Sequence, residues 1–294
     1  MLSHHIELNG QPFHYRAWGH AGAPVMLFLH GFPEYSGAWN AVASRMADQY
    51  HCIAPDQRGY GQSWAPADLG EYSAGKLAGD MAALVEHISP DAPVILVGHD
   101  WGASVAYALA FSRPDLVARL VIMNGVHPWC FQRELAKGGA QAEASQYIHF
   151  LRAGGSEEKL AEDDYNGFMR LFSARMDMSW MTPERAAEYK TEWARAGRLR
   201  GMVNWYRATP LVVPKPGQGF DLPEMDLSKL QVTMPHLVLW GDGDTALLPD
   251  CLDGLDQFAP DLTIRHIKGA DHWIAHQQPD AVAEAMRDWL PAPT

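Results

Sequence analysis

The stretch with the clearest chemical promise is Gly98-His99-Asp100-Trp101-Gly102, which follows an apolar run at 93–97 and opens an alanine-rich segment. A strand that turns sharply into a helix, with a glycine on each side of one polar residue, bares that side chain at the crest of a strained bend. Serine commonly occupies the crest; here it is Asp100. A serine that attacks a saturated carbon is left as an ether, which water does not readily cleave. A carboxylate is left as an ester, which activated water hydrolyses. Asp100 therefore points to displacement at an sp³ carbon and away from ester or amide cleavage. Asp at the start of a helix also serves as an N-cap, but the flanking glycines and the partners described next weigh against that as its whole role. Ser104 falls one turn inside the same helix, where packing is the expected role.

A nucleophile of this kind needs an oxyanion site, a base and an acid. The run Leu27-Phe28-Leu29 ends in the turn His30-Gly31-Phe32-Pro33-Glu34. The backbone N–H groups of Phe32 and Trp101 are the expected oxyanion donors. A base must activate water against the ester, and it should follow the last strand. Asp271-His272-Trp273 stands there, so His272 is preferred to His276, which lies beyond the turn. The acid that orients the imidazole should follow the preceding strand, in Gly241-Asp242-Gly243-Asp244. Asp244 is preferred to Asp242; Asn124 and Gly125 occupy the other position from which an acid could reach.

The elements that must carry these residues alternate. Strand-like segments at 4–8 and 13–18 flank Asn9-Gly10, a hairpin signal. Strands are expected at 25–29, 51–54, 94–97 and 119–123, and helices at 39–49, 77–88 and from 101 to just before Pro114. This alternation predicts a mostly parallel sheet covered on both faces. The rhythm breaks after Asn124: about 127–229 reads as helical and rich in aromatics and methionines, with 210–219 as the returning connection. Strands resume at 236–240 and 263–267, with helices near 249–258 and 279–290. The division is core 1–126, helical cap 127–229, core 230–294.

Composition narrows the classes. Asp and Glu number 35 against 23 Lys and Arg, a net charge of −12 with no basic cluster, which excludes a phosphate-backbone binder. Nucleic acid is not an expected partner. Cys52, Cys130 and Cys251 form no CxxC pair and fit a reducing compartment. The N-terminus lacks the pattern of a signal peptide, and no apolar run reaches the roughly 20 residues of a membrane span. The expectation is a cytoplasmic protein with no membrane partner. The apolar cap residues leave both a pocket lining and a homodimer contact open.

Taken together, His30-Gly31-Phe32-Pro33-Glu34, Asp56-Gln57-Arg58-Gly59-Tyr60-Gly61-Gln62-Ser63, Gly98-His99-Asp100-Trp101-Gly102, Asn204-Trp205-Tyr206-Arg207 and Asp271-His272-Trp273 resemble motifs of the soluble, bacterial-type α/β-hydrolase-fold epoxide hydrolases, over nearly the whole chain. The resemblance implies the α/β-hydrolase fold, with the cap inserted after the sixth strand. It implies conversion of a small hydrophobic epoxide to a vicinal diol through an aspartyl ester, with no metal or organic cofactor. The motif at 204–207 carries a catalytic tyrosine in that family, which here is Tyr206. A second cap tyrosine is implied at Tyr147, with His149 as the alternative one short register shift away. A phenol suits the role, because with a pKa of about 10 it stays protonated at neutral pH and can donate to the opening ring. Several motifs are shared with haloalkane and haloacid dehalogenases, so dehalogenation on the same Asp-His-Asp set is the alternative. Phe32 stands where many haloalkane dehalogenases have Asn, and Trp101 where fluoroacetate dehalogenases typically have Arg; both departures favour the epoxide.

Overall fold

The computed structural model describes residues 1–173 and 176–291. The turn at Asn9-Gly10 joins Leu2–Leu8 (β1) to Gln11–Trp18 (β2) in an antiparallel pair. Six strands follow: Val25–Leu29 (β3), His51–Pro55 (β4), Val94–His99 (β5), Val117–Met123 (β6), His236–Gly241 (β7) and Leu262–Ile267 (β8). They form one sheet in the order β1-β2-β4-β3-β5-β6-β7-β8. β2 meets β4 antiparallel, and every pair from β4 to β8 is parallel.

Alternate residues of the buried strands feed two cores. Leu27, Leu29, Leu96, Leu120 and Ile122 point to one face, where Ala74–Ile88 (α2) and Trp101–Ser112 (α3) pack. Met26, Phe28, Val97, Val121 and Met123 point to the other, covered by Asn40–Met46 (α1) and a C-terminal helix (Pro279–Trp289). Covering on both faces explains why β3, β5 and β7 are apolar at nearly every position. α3 is buried on most of its circumference, which its run of small residues permits, and it ends before Pro114, which cannot continue it.

Between β6 and β7 the described chain forms Pro128–Ala136 (α4), Ala140–Ala144 (α5), Tyr147–Arg152 (α6), Ser156–Ser173 (α7), Pro183–Trp193 (α8) and Arg198–Ala208 (α9). α7 is kinked at 162–165, where Asp163, Asp164 and Tyr165 take positive φ. After β8 come Ile274–Gln277 (α10) and the C-terminal helix, α11. Among the described residues no helix is long and apolar enough to cross a membrane.

Three expectations need correction. The helix expected near 249–258 is two short 3-10 turns, Pro249–Leu252 and Leu255–Gln257, because Gly254 turns into the left-handed region at φ 68° between them. The helix expected at 39–49 is shorter, since Ser36–Trp39 winds as a separate 3-10 turn ahead of α1. The irregular return to β7 begins at Thr209 and runs to Asp226, longer than 210–219, and Pro210, Pro214, Pro216 and Pro223 within it deny helical hydrogen bonds.

The strand register fixes the site. Leu29 pairs with Gly98, His99 with Met123, Met123 with Leu239, and Gly241 with Ile267. The carboxyl ends of β3, β5, β6, β7 and β8 therefore lie in one row. Chain order reverses between β3 and β5, and a crevice at such a reversal is where open α/β sheets place their ligands.

Candidate active site

Asp100 occupies that reversal at φ 50°, ψ −121°, a conformation that costs a non-glycine residue on the order of 1–3 kcal/mol. Its side chain makes no capping bond to α3. Oδ1 instead accepts a hydrogen bond from the Phe32 N–H at 2.7 Å, and Oδ2 faces Nε2 of His272 at 3.6 Å. Gly31 makes this approach possible: a Cβ there would overlap Cβ of Asp100 and lie 2.5 Å from Oδ1.

His30 sets the turn that aims the Phe32 N–H. Nδ1 donates to the Gly31 carbonyl at 2.9 Å and Nε2 accepts from the Gln57 N–H at 3.1 Å, so the ring is the neutral tautomer. Burial holds its pKa below the ordinary value, which keeps it neutral.

His272 lies in the loop after β8 and is 4% exposed. Its Nδ1 is 2.8 Å from Oδ2 of Asp244. Asp244 also accepts from Asn124 Nδ2 at 2.8 Å and from the Ala246 and Leu247 N–H groups at 2.8 and 3.0 Å. Burial opposes ionisation of Asp244, but His272 and these donors hold its carboxyl below the usual range. Burial likewise opposes a charged His272, yet Asp244 and Asp100 on its two sides hold the imidazole well above its ordinary value. Asp242 is exposed and pairs with His266 at 2.6 Å. His276 points elsewhere, bonded to Glu34 at 2.6 Å and stacked on Trp180.

The structure brings Tyr147 and Tyr206 to the same place. Both line, with Asp100, the common wall of two cavities of about 330 and 490 Å³. The Tyr206 ring stands edge-on to Phe32 and to Trp101, each with centroids 5.0 Å apart, and to Tyr147 at 6.2 Å. Burial pushes the Tyr147 hydroxyl above the ordinary value near 10, and the Asp100 and Asp244 carboxylates add to it. Burial raises Tyr206 in the same way, reinforced by Tyr147 and Asp100. His149 is not at the site: it is exposed and bonded to the Val213 carbonyl at 3.1 Å. Ser104 lines the smaller cavity. Among the described residues no group of three His, Cys, Asp or Glu side chains has the spacing of a metal centre.

Sequence reasoning missed a second tier of polar residues. Asn124 at the end of β6, noted only as filling an alternative acid position, also accepts from the Gly241 N–H at 2.8 Å and so ties the end of β7 and Asp244 together. His99 Nε2 donates to the His272 carbonyl at 2.8 Å, and its Nδ1 lies 3.2 Å from Glu34. Glu34 in turn accepts from Tyr189 of α8 at 2.8 Å. The only trace of this tier in the sequence is that polar residues stand next to glycines at strand ends, which does not name their partners.

Comparison with known proteins agrees with the architecture. A family model described as alpha/beta hydrolase fold matches residues 24–279. The AB hydrolase superfamily protein YfhM of Bacillus subtilis is 30% identical over 97% of this chain and 96% of its own. Epoxide hydrolase 1 of Caenorhabditis elegans is 29% identical over 98% of this chain and 70% of its own. Among solved structures, an epoxide hydrolase from metagenomes of hot environments superposes with a TM-score of 0.88 at 33% identity, over 99% of this chain and 98% of that one. With a mostly parallel sheet whose chain order reverses, a strained elbow after its central strand and a matching family model over most of its length, this chain belongs to the α/β-hydrolase fold family.

Proposed function

We propose that the protein is an epoxide hydrolase that works through an ester on Asp100. The observation that carries this reading is the posture of one carboxylate. Oδ1 is pinned by the Phe32 N–H, which leaves Oδ2 directed at His272 and at a cavity wall shared with two phenols. Relatives and structural neighbours named as epoxide hydrolases support the choice of substrate.

In the first step Oδ2 attacks a ring carbon, the carbon–oxygen bond of the epoxide breaks, and Tyr147 or Tyr206 gives its proton to the leaving oxygen. Raised phenol pKa values suit this, since a phenol that stays protonated remains a donor. Esterification removes the charge of Asp100, one of the two that hold the His272 proton. The imidazole then releases that proton to the phenolate and becomes a base. Water attacks Cγ of Asp100 and gives a proton to His272 Nε2. The oxyanion forms at Oδ1, on the Phe32 N–H with the Trp101 N–H as second donor. Collapse expels the diol oxygen, which takes the proton from His272. The new carboxylic acid then passes its own proton to the imidazole, so the resting state is restored. Asp244 holds the imidazole in orientation and offsets its charge. Residues 127–229 act as a lid that carries both tyrosines and excludes water.

The test is to stop the second step. His272→Gln should still be alkylated, so incubation with styrene oxide should raise the mass of the Asp100 peptide by one substrate mass while diol formation stops. An unmodified Asp100 peptide in a folded variant would count against the ester. Trp101 lines the smaller cavity beside Asp100 and could present its indole N–H to a leaving halide, which keeps dehalogenation as a second reading. Halide release that survives replacement of both Tyr147 and Tyr206 by Phe would favour it.

A further inference from the structure

The pairing of carboxylate and imidazole seen at Asp244 and His272 occurs a second time, at the β1-β2 edge of the sheet. His14 of β2 is buried, and its Nδ1 lies 2.7 Å from Oδ2 of Asp56, just past β4. Its Nε2 lies 2.7 Å from Oγ of Ser3 on β1, and Ser3 is exposed. The strand register explains the contact. Ser3 stands opposite Arg16 and His5 opposite His14, so Ser3 and His14 are diagonal neighbours on one face. The proton positions follow from Asp56. Burial opposes its ionisation, but His14 and the Gln62 and Ser36 N–H groups hold its carboxyl well below the usual range. An ionised carboxylate only accepts, so Nδ1 of His14 donates to it. In the neutral ring Nε2 is then the acceptor, and the Ser3 hydroxyl donates to it. β1 is already laddered to β2 from Leu2 to Leu8, so this relay is not what holds the strand in place.

We propose that Ser3 is an activated nucleophile, at which a small activated acyl or phosphonyl donor is captured covalently from solvent. An exposed hydroxyl bonded to an imidazole that a buried carboxylate orients is the arrangement that makes serine reactive. In the step, Ser3 Oγ bonds to the carbonyl carbon or phosphorus and the bond to the leaving group breaks. The hydroxyl proton passes to His14 Nε2, Asp56 offsets the charge of the imidazolium, and the proton then goes to the leaving group or to water. Directly opposite Ser3 stands Arg16, whose Nη1 reaches Met1 Sδ at 3.6 Å. A guanidinium thus flanks the same strand end and favours the negative charge that develops on the donor's oxygen. Among the described residues no second acid is hydrogen-bonded to Ser3, so the donor must carry a good leaving group. This site is separate from Asp100 and does not depend on the epoxide reading.

The test treats the full chain with an alkyl fluorophosphonate, whose serine adduct water does not readily cleave, and follows labelling by peptide mass. Ser73 is the internal reference, since it is exposed and its side chain makes no capping bond. The tryptic peptide 1–16 should gain one phosphonyl mass, located at Ser3 by fragmentation, about 10²-fold or more faster than Ser73 is labelled. Ser3→Ala, a change at an exposed position, should leave that peptide unlabelled. His14→Gln should bring labelling of Ser3 down to the rate of Ser73, with thermal melting to confirm that the variant is folded. Because His14 is buried, the ratio of Ser3 to Ser73 in the unaltered protein decides the matter even if that variant fails to fold. Ser3 labelled no faster than Ser73, or a label on peptide 1–16 that persists in Ser3→Ala, would overturn the inference. Equal labelling of Ser3 in a folded His14→Gln variant would overturn it as well.

Discussion

Tyr147 and Tyr206 converge on one carboxylate from two helices, α6 and α9, and replacing one should cost less than replacing both. Each single Phe variant should retain measurable epoxide turnover, whereas the double variant should lose about 10²–10³-fold in kcat or more, because no protonated donor remains for the ring oxygen. A steady-state assay on one epoxide settles it. A pH profile offers a second residue-scale test. The His272 pKa is raised by Asp244 and Asp100; in the proposed mechanism the ester removes one of these two charges, so His272 would act as a base only above the lower value it has in the intermediate. Acid should therefore slow hydrolysis of the ester more than its formation, and single-turnover traces at falling pH should show the intermediate accumulating. Both phenols lie above their ordinary value, so neither should impose an alkaline limb below about pH 10. That Asp100 and His272 would lie side by side was legible because each is embedded in a short motif whose glycines and aromatics set its place at a strand end. Tyr147 against His149 was not, because two positions along a helix are far apart in direction, and only the packed helix decides which one faces inward.

At the scale of elements, the depth of Tyr206 is set where α9 meets the loop at 56–63. Trp205 Nε1 donates to the Arg58 carbonyl at 2.9 Å, and Arg58 is itself held by both oxygens of Asp80. Gly201 of α9 lies against Gly59 so closely that a Cβ on Gly201 would come within 2.7 Å of the Gly59 Cα. Gly201→Ala should push α9 outward and destabilise the fold by about 1–3 kcal/mol. It should also lower kcat more than it raises KM, since Tyr206 retreats from the ring oxygen; urea melts and steady-state kinetics measure the two effects. The sequence showed the strands well, because burial on both faces writes a continuous apolar run. It showed the 249–258 segment poorly: its spacing of Leu and Phe suits a helix, but one glycine in the left-handed region splits it. It also could not show that Asn124, just past β6, would be bonded to Asp244 beyond β7, since strand register creates that neighbourhood.

For the molecule as a whole, the same loop at 56–63 carries part of the acid stability. Burial opposes a charged Asp56, but His14, the Gln62 and Ser36 N–H groups and their hydrogen bonds outweigh it and hold the carboxyl well below the usual range. A group depressed on folding stabilises fully above its unfolded pKa of about 3.9 and loses that contribution as pH falls through the folded value. Urea midpoints should thus decline below about pH 4, and Asp56→Asn should flatten that decline while lowering stability at pH 7. All of these elements serve one arrangement: a sheet whose reversal point carries a carboxylate, with the Phe32 N–H, two phenols and an imidazole gathered around it. The most direct test of it follows oxygen. In a single turnover with enzyme in excess, run in heavy-oxygen water, the first diol should carry no label and the Asp100 carboxylate should acquire it, because water attacks the ester at Cγ. Heavy oxygen found in that first diol, with Asp100 unlabelled, would mean that water attacks the epoxide directly and that Asp100 is never esterified.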